Sequence, residues 1–399
     1  MKNKIIILVI ILVGIFGWFS VKGIFWYKAQ AAERKIIKTQ NETIANIINS
    51  RRVEAPKEET DDLFGEDKIA RVLLIGLDNR IGQKNGHCDA IQLITLDKNT
   101  DTITITAVPR GTYSSLPPGM GVTSSDYYVS NSCGLGGLEY GIKQIEKILG
   151  VKADYLVTVN FSETLGILRL LRLPTTETLQ WLRNRHGYTI GEPQRARNHS
   201  TFIKQMLVKF VSAKMSKIDA ALQYIVFKVI KTDLSFAQAQ KLLDAVAAMD
   251  ISNHPEKIKL TMKPFFYVAD IVYDPEHITE YLDATLGPIR HLLSKNSFTG
   301  LSGESVQANL LAVIEKNKNN AEFTAWAWQN NLWLQIENDE MRLSVQYDLL
   351  NSHLQSLSDK KEREAVIADY ILEMENRGEL VWKEKARVNL AEELGYSKQ

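Results

Sequence analysis

Along the chain, apolar and polar positions follow three successive patterns. Ile5 to Val21 is an uninterrupted run of apolar and small residues, preceded by Lys2 and Lys4 and broken by Lys22. Gly23 to Tyr27 resumes it with aromatic side chains suited to a membrane interface. Counted through Trp26, the run meets the roughly 20 residues needed to cross a bilayer core. It predicts a single transmembrane anchor over residues 5–26, its short tip in the cytoplasm and the rest of the chain outside. Ala29-Gln30-Ala31 resembles a small-residue cleavage site, so a signal peptide is the competing reading. Residues 1–27 are thus read as tip and anchor, and 28–67 as a polar stalk with an acidic cluster at Glu58, Glu59, Asp61 and Asp62.

From residue 68 to 290 the pattern alternates between two periods. Arg71–Gly76 is a continuous apolar run, as in a strand buried on both faces. Ala90–Leu96, Thr102–Val108 and Tyr155–Phe161 predict further strands. Leu138–Leu149 predicts an amphipathic helix with Ile142, Ile145 and Leu149 on one face, and Glu163–Leu171 another helix. Helices are also expected over Ser200–Lys217, Phe236–Met249 and His277–Leu286, with short strands at Lys257–Met262 and Phe265–Tyr273. Strands alternating with helices argue for a layered α/β fold, in which ligands sit at strand carboxyl ends. Residues 291–399 read as a mostly helical extension. Its aromatic-dense stretch, Phe323 to Trp333, is expected to form a small helical core.

Composition narrows the function classes. The chain has 399 residues, 45% hydrophobic and 24% charged, with a net charge of +1. It is long enough for a sizeable core, and no global field argues for nucleic acid. No C-x-x-C, H-E-x-x-H, G-x-S-x-G or P-loop pattern occurs, which removes the usual sequence support for zinc hydrolases, serine hydrolases and P-loop enzymes. Cys88 and Cys133 make at most one bridge. Two ordinary buried thiols are the expected state, although a disulfide is permitted outside the cytoplasm.

Candidate chemistry gathers at predicted strand ends. Asp78 and Arg80 follow the first strand, Asp89 precedes the second, and Pro109-Arg110-Gly111 ends the third. Thr178–Phe202 carries Arg183, Arg185, Arg195 and Arg197, interrupted by Gly187, Gly191 and Pro193. Arg183 and Arg185, two apart in a run with strand character, would present both guanidiniums on one face. A helix is expected to begin near Arg195. Guanidinium forks bind oxyanions through paired charge-assisted hydrogen bonds, and carboxylates hold Mg²⁺ shared with substrate phosphates. A solvated basic loop and a phosphate site both fit these residues.

The order and spacing of GLDNR, the following Asp, VPRGTY, NSCGLGG, ILGVKADYLVTVNF and R-N-R…G-E-P-Q-R resemble the LytR-CpsA-Psr proteins, the cell envelope-related transcriptional attenuator domain, over Lys68 to Leu286. The resemblance implies a three-layer α/β/α sandwich with a central mixed sheet. It implies a membrane-anchored extracytoplasmic phosphotransferase that moves a glycopolymer from a polyprenyl-pyrophosphate carrier to peptidoglycan. Asp78 and Asp89 would hold Mg²⁺, or Mn²⁺ in its place. Arg80, Arg110, Arg183, Arg185, Arg195 and Arg197 would bind the pyrophosphate. Arg110, Glu192 and Arg195 would act in catalysis, Glu192 helping to activate the acceptor hydroxyl.

The chain departs from that pattern at four places. Gly111 replaces an aspartate, His87-Cys88-Asp89 stands for Arg-Ser-Asp, and Asn198-His199 for Arg-Gln. The segment from Leu165 to Trp181 is short, without the usual Gly-Gly-Val stretch and hairpin. A catalytically degenerate polyprenyl-phosphate-binding or envelope-scaffold protein, and a pyrophosphatase, are the alternative functions.

Overall fold

The computed structural model describes residues 63–211, 217–292 and 303–396. The expected anchor and most of the stalk lie outside these residues. Among the described residues, no helix is long and apolar enough to cross a membrane. Two compact units divide the described chain, one running to Gln355 and the other comprising residues 356–396.

The first unit is built on a mixed six-stranded sheet. Its strands are β1 (Ile69–Asp78), β2 (His87–Asp97), β3 (Thr102–Ala107), β4 (Tyr155–Asn160), β5 (Lys231–Thr232) and β6 (Ile258–Met262), in the order β5-β4-β1-β2-β3-β6. β1 is antiparallel to β2 and parallel to β4, while β3 is antiparallel to β2 and parallel to β6. The carboxyl ends of β1, β3, β4 and β6 therefore meet the amino end of β2 at one edge of the sheet. That edge carries Asp78, Asp89, Arg110, Asn160 and Lys263.

Both faces of the sheet are covered, which is why the strands read as near-continuous apolar runs. Leu73, Ile75, Ile91 and Leu93 pack on one face with Cys88, Val129, Cys133, Ile145 and Leu149. The last four come from α1 (Val129–Gly136) and α2 (Leu138–Leu149). On the other face, Ala70, Leu96, Ile103, Ile105 and Ile258 meet Leu242 and Val246 of α7 (Phe236–Ala248), with Ile203 and Leu207 of α5 (Gly191–Phe210) against them. The layers are those expected, with a helix pair on one side and α5 and α7 on the other.

Three local assignments differ from the sequence reading. Arg183 is the last residue of a helix, α4 (Thr175–Arg183), which follows α3 (Phe161–Leu170), and Arg185 lies in the loop beyond. Thr178 and Trp181 are buried and Leu179 and Leu182 pack beside them, so a helical period decides this stretch. The next helix starts at Gly191, which places Glu192 in its first turn. Phe265–Tyr273 is extended but joins no strand. Its backbone is met by glutamines of α5 instead: Ala269 N–H donates to Gln194 Oε1 at 3.0 Å and its carbonyl accepts from Gln194 Nε2 at 2.8 Å. Gln205 treats Tyr273 the same way, both bonds being 2.9 Å.

Cys88 and Cys133 form a disulfide joining β2 to α1, in place of the two thiols expected. The bridge is fully buried. A Cβ added to Gly141 would lie 2.2 Å from Cys133 Sγ, so glycine is what lets α2 pack directly on the bridge.

The tail does not behave as one extension. After α6 (Lys217–Val229) and α8 (Ile278–Leu286), helices α9 (Gly303–Asn317), α10 (Ala321–Gln329) and α11 (Asp339–Ser356) belong, up to Gln355, to the sheet-bearing unit. Phe323, Trp333, Leu332, Leu334 and Leu349 form a core there, with Trp326 and Trp328 partly buried beside it. This core docks on α3 through close polar contacts. Arg169 Nη1 donates to the Leu334 carbonyl at 2.9 Å, and Gln335 Nε2 to Ser162 Oγ at 2.9 Å. The second unit is a hairpin of α12 (Lys360–Arg377) and α13 (Leu380–Glu393), turned by Gly378 at φ +77°. Arg363 grips Glu393 across it, from Nε at 3.0 Å and Nη2 at 2.7 Å.

Candidate active site at the sheet edge

A β-bulge opens the site. In the β1–β2 ladder Gly76 pairs with Ala90 and Leu77 with Cys88, so Asp89 has no partner of its own. A bulge re-aims the side chain of its extra residue, and such bulges recur beside active sites. Asp89 points at Arg110, just past β3. Arg110 Nη1 donates to both carboxylate oxygens, at 2.7 Å and 2.6 Å. Asp78, the last residue of β1, is closed by Arg80, whose Nε and Nη2 donate at 3.0 Å and 2.6 Å. Asp78 in turn raises the basicity of Arg80.

A second ion-pair group comes from the α4–α5 connection. Glu192 accepts from Arg185 Nη1 at 2.7 Å and pairs with Arg195 Nη2 at 2.9 Å. Gly191 makes this possible, since a Cβ there would lie 2.4 Å from the Arg185 carbonyl oxygen. Burial pushes the Glu192 carboxyl up, but Arg195, Arg185 and Arg110 outweigh it and hold the group below its usual range. Arg195 also reaches the Asp89 carbonyl at 3.4 Å, which joins the two groups. Burial lowers Arg195, against the opposing fields of Glu192 and Asp89.

Arg183 is brought to the same edge by a different route. Its guanidinium lies over the Phe161 ring, 5.2 Å from the centroid, and burial lowers its basicity while Asp78 and Asp89 oppose that effect. Arg183 and Arg185 thus converge on the site from a helix end and a loop rather than from one face of a strand. Arg197 does not join them. Two residues beyond Arg195 it leaves α5 in another direction and pairs through Nε with Asp270 at 2.7 Å.

Several further residues of this edge carry little or no signal in the sequence. Asn160, at the end of β4, caps α3, and the buried Glu163 returns the bond to the Asn160 N–H at 2.7 Å. Burial raises the Glu163 carboxyl. Asn331 Nδ2 donates to Glu163 Oε1 at 3.0 Å, and Asn79 Nδ2 to Asn330 Oδ1 at 2.9 Å. The loop after α10 therefore braces the residues flanking Asp78. Only the capping spacing of Asn160 and Glu163 was readable from sequence.

His87 and His199, two of the departures from the resembled pattern, make structural contacts. The His87 ring packs against α1, with Nδ1 3.0 Å from Asn131 Oδ1. His199 sits 2.7 Å from the Leu182 carbonyl through Nε2, which must carry the proton, while its Nδ1 is buried without a hydrogen-bond partner. Burial, then the nearby Arg195, pushes this imidazole down to about 4. An unfolded histidine takes up a proton below about pH 6.5, whereas the folded one resists until about 4. Its contribution to stability is complete above pH 6.5 and is lost as the pH falls toward 4, by roughly 3 kcal/mol. His199→Gln is expected to flatten that acid limb in denaturant titrations. An unchanged slope would contradict this assignment.

Residues 28–164 match the LytR_cpsA_psr family model, spanning β1 to β4 and most of the acidic side of the site. Over that stretch the chain is similar to the LytR-CpsA-Psr proteins. Among its relatives is the polyisoprenyl-teichoic acid–peptidoglycan teichoic acid transferase TagU of Bacillus mycoides (strain KBAB4). It is 23% identical over 192 residues, covering 48% of this chain and 59% of the relative. TagU of Bacillus subtilis (strain 168) is 24% identical over 196 residues, covering 48% and 57%. The chain thus spans less than two thirds of either relative. Similar solved structures include B. subtilis TagV, at TM-score 0.42 and 15% identity over 56% of this chain and 98% of that one. TagT bound to LI-WTA has TM-score 0.39 and 17% identity over 59% and 96%.

Proposed function

We propose that this chain is a LytR-CpsA-Psr protein, a membrane-anchored extracytoplasmic phosphotransferase that moves a glycopolymer from a polyprenyl-pyrophosphate lipid to a peptidoglycan hydroxyl. The carrying observation is the convergence of Arg110, Arg183, Arg185 and Arg195 with Asp89 and Glu192 at one sheet edge. The match of residues 28–164 to the family model and the names of the relatives support the reaction class. The disulfide supports an oxidising compartment outside the cytoplasm.

Asp78 and Asp89 are the residues that would hold Mg²⁺ or Mn²⁺. Among the described residues no cluster of three or more His, Cys, Asp and Glu forms a closed metal cage. Two carboxylates at one edge instead suit Mg²⁺, which keeps waters and shares one or two carboxylates with substrate phosphates. When bound, the ion would neutralise charge on the pyrophosphate. The guanidiniums of Arg110, Arg183, Arg185 and Arg195 orient the pyrophosphate and stabilise charge as it shifts, with Arg80 at the outer side. The acceptor oxygen forms a bond to the polymer-bearing phosphorus as the bridging P–O bond breaks and polyprenyl phosphate leaves. Glu192, held as a carboxylate, orients the hydroxyl and relays its proton to solvent. Positioning and charge stabilisation are the main demands of phosphoryl transfer.

One observation favours a second reading, a binding protein without turnover. Gly111 leaves open space within 4 Å of where a side chain would begin, and both candidate metal carboxylates are already closed on arginines. Full-length protein in detergent, given a lipid-linked glycopolymer, a peptidoglycan acceptor and Mg²⁺, should yield polymer-linked acceptor and polyprenyl phosphate. Bound lipid with no product over hours would establish the binding reading. Free polymer in place of linked polymer would establish hydrolysis.

A further inference from the structure

The tail reaches the sheet edge through one loop. Asn330 closes α10, and Asn331 follows it in the left-handed region at φ +52°. Few residues other than glycine settle there, and asparagine is one of them. Asn330 is buried, and both ends of its side-chain amide are engaged. Its Nδ2 donates to the Trp326 carbonyl at 2.8 Å, while Oδ1 accepts from Asn79 Nδ2 at 2.9 Å, 251 residues away in the chain. The Asn330 carbonyl accepts from Asn160 Nδ2 at 3.4 Å, and Asn331 donates to the buried Glu163 at 3.0 Å. Asn160 pairs with Leu77 in the parallel ladder, so this loop ties the carboxyl ends of β1 and β4 together.

The seat for the loop is built into the sheet-bearing unit. Gly166 lies inside α3, where glycine weakens a helix. A Cβ there would lie 3.0 Å from Leu334 Cδ1, so the glycine is what lets the tail approach. Asn79 is also closed in at its oxygen end. A Cβ on Gly86 would stand 1.9 Å from Asn79 Oδ1, so the returning chain packs directly on that amide.

Asn79 stands in the chain between Asp78 and Arg80, which pair with each other. The Arg80 side chain is 66% exposed, and an exposed ion pair opens at little cost. A carboxylate on the last residue of a strand depends on the following turn for its direction. With Asn79 held, that turn stays put whichever way Arg80 faces.

We propose that Asn330 is a positioning residue of the candidate site, keeping the Asp78 carboxylate in place through Asn79 when Arg80 swings away to an anion. Asn331 holds the loop that carries it, by its bond to Glu163. A carboxylate closed on an arginine can thereby be released to other partners without losing its direction. The metal and pyrophosphate roles of Asp78 and Arg80 rest on the phosphotransferase reading, whereas the tie between the tail and the end of β1 does not.

Two measurements on full-length protein in detergent test this. One is hydrogen exchange of the peptide over residues 76–82. The other is Mn²⁺ affinity by electron paramagnetic resonance, with and without farnesyl pyrophosphate. Asn330→Ala and Asn79→Ala should each speed the exchange and weaken Mn²⁺ by about fivefold, the weight of one hydrogen bond. Asn79→Ala reaches that bond from the sheet side and leaves the tail's own contacts intact. Asn79→Ala/Asn330→Ala should be no worse than either single variant, because both remove the same bond. Glu337→Ala controls for tail docking. It removes the acceptor of Thr175 Oγ1 and Thr176 Oγ1 on α4, at 2.7 Å and 2.9 Å, and should match wild type in both measurements. Values for Asn330→Ala within about twofold of wild type, or losses that multiply in the double variant, would overturn the positioning role. Equal losses in Glu337→Ala would overturn it too, by reducing Asn330 to a general docking contact. If the exchange responds as expected but wild type takes up neither Mn²⁺ nor farnesyl pyrophosphate, the tie stands and the phosphotransferase reading fails.

Discussion

Arg110→Ala is expected to lower glycopolymer transfer by about 100- to 1,000-fold, the range for removing one preorganised donor from a site of developing charge. Arg110 holds Asp89 by two bonds from Nη1 and, in the proposed reaction, would meet a phosphoryl oxygen. Its loss therefore has two costs. The anion loses a guanidinium, and the bulge residue Asp89 loses the partner that fixes its direction. Arg110→Lys should fall between wild type and alanine, since a lysine supplies charge without the planar fork. Lys143→Ala, at an exposed pair with Glu139 on α2, should match wild type and control for handling. The measurement is the initial rate of polyprenyl phosphate release at saturating Mg²⁺. A rate for Arg110→Ala within threefold of wild type would remove Arg110 from the site.

The second large effect concerns the disulfide. Cys88→Ala/Cys133→Ala should destabilise the sheet-bearing unit by about 4 kcal/mol, from loop-closure entropy over a separation of 45 residues. Its melting temperature should fall by roughly 10 °C. The bridge also clamps the strand one residue before Asp89, at the root of the bulge. Affinity for a pyrophosphate analogue should therefore weaken in the double variant even well below its melting point. Equal melting curves for the two proteins would show that the bridge does no more than two packed thiols.

The relation between sequence and structure differs from element to element. β1, β3, β4, α2 and α7 were legible because each carries a simple period with a core on the matching face. Arg183 and Arg185, two arginines spaced by one, suggest a strand. The burial of Thr178 and Trp181, three apart, overrides that suggestion. The bulge did leave a trace. Cys88 shares a core with Ile91 and Leu93, although an unbroken strand would send residue 88 to the opposite face. The break in parity falls at Asp89. Nothing in the local pattern of Phe265–Tyr273 distinguishes a strand from an extended segment fastened by glutamines, because both alternate with period two.

The sequence by itself determined the inventory: which strands have two buried faces, which carboxylates and arginines lie at their ends, and which family's motif order they resemble. Local periodicity and short-range spacing carry that information. Tertiary structure alone decided the pairings. It set Arg110 on Asp89, Arg185 and Arg195 on Glu192, and Arg197 on Asp270, and it joined the two cysteines. It also brought Asn330 and Asn331 to the edge of a sheet formed more than 160 residues earlier. Charge partners are chosen by distance in the folded chain, which depends on the strand order and on where each helix begins. No window along the sequence contains both.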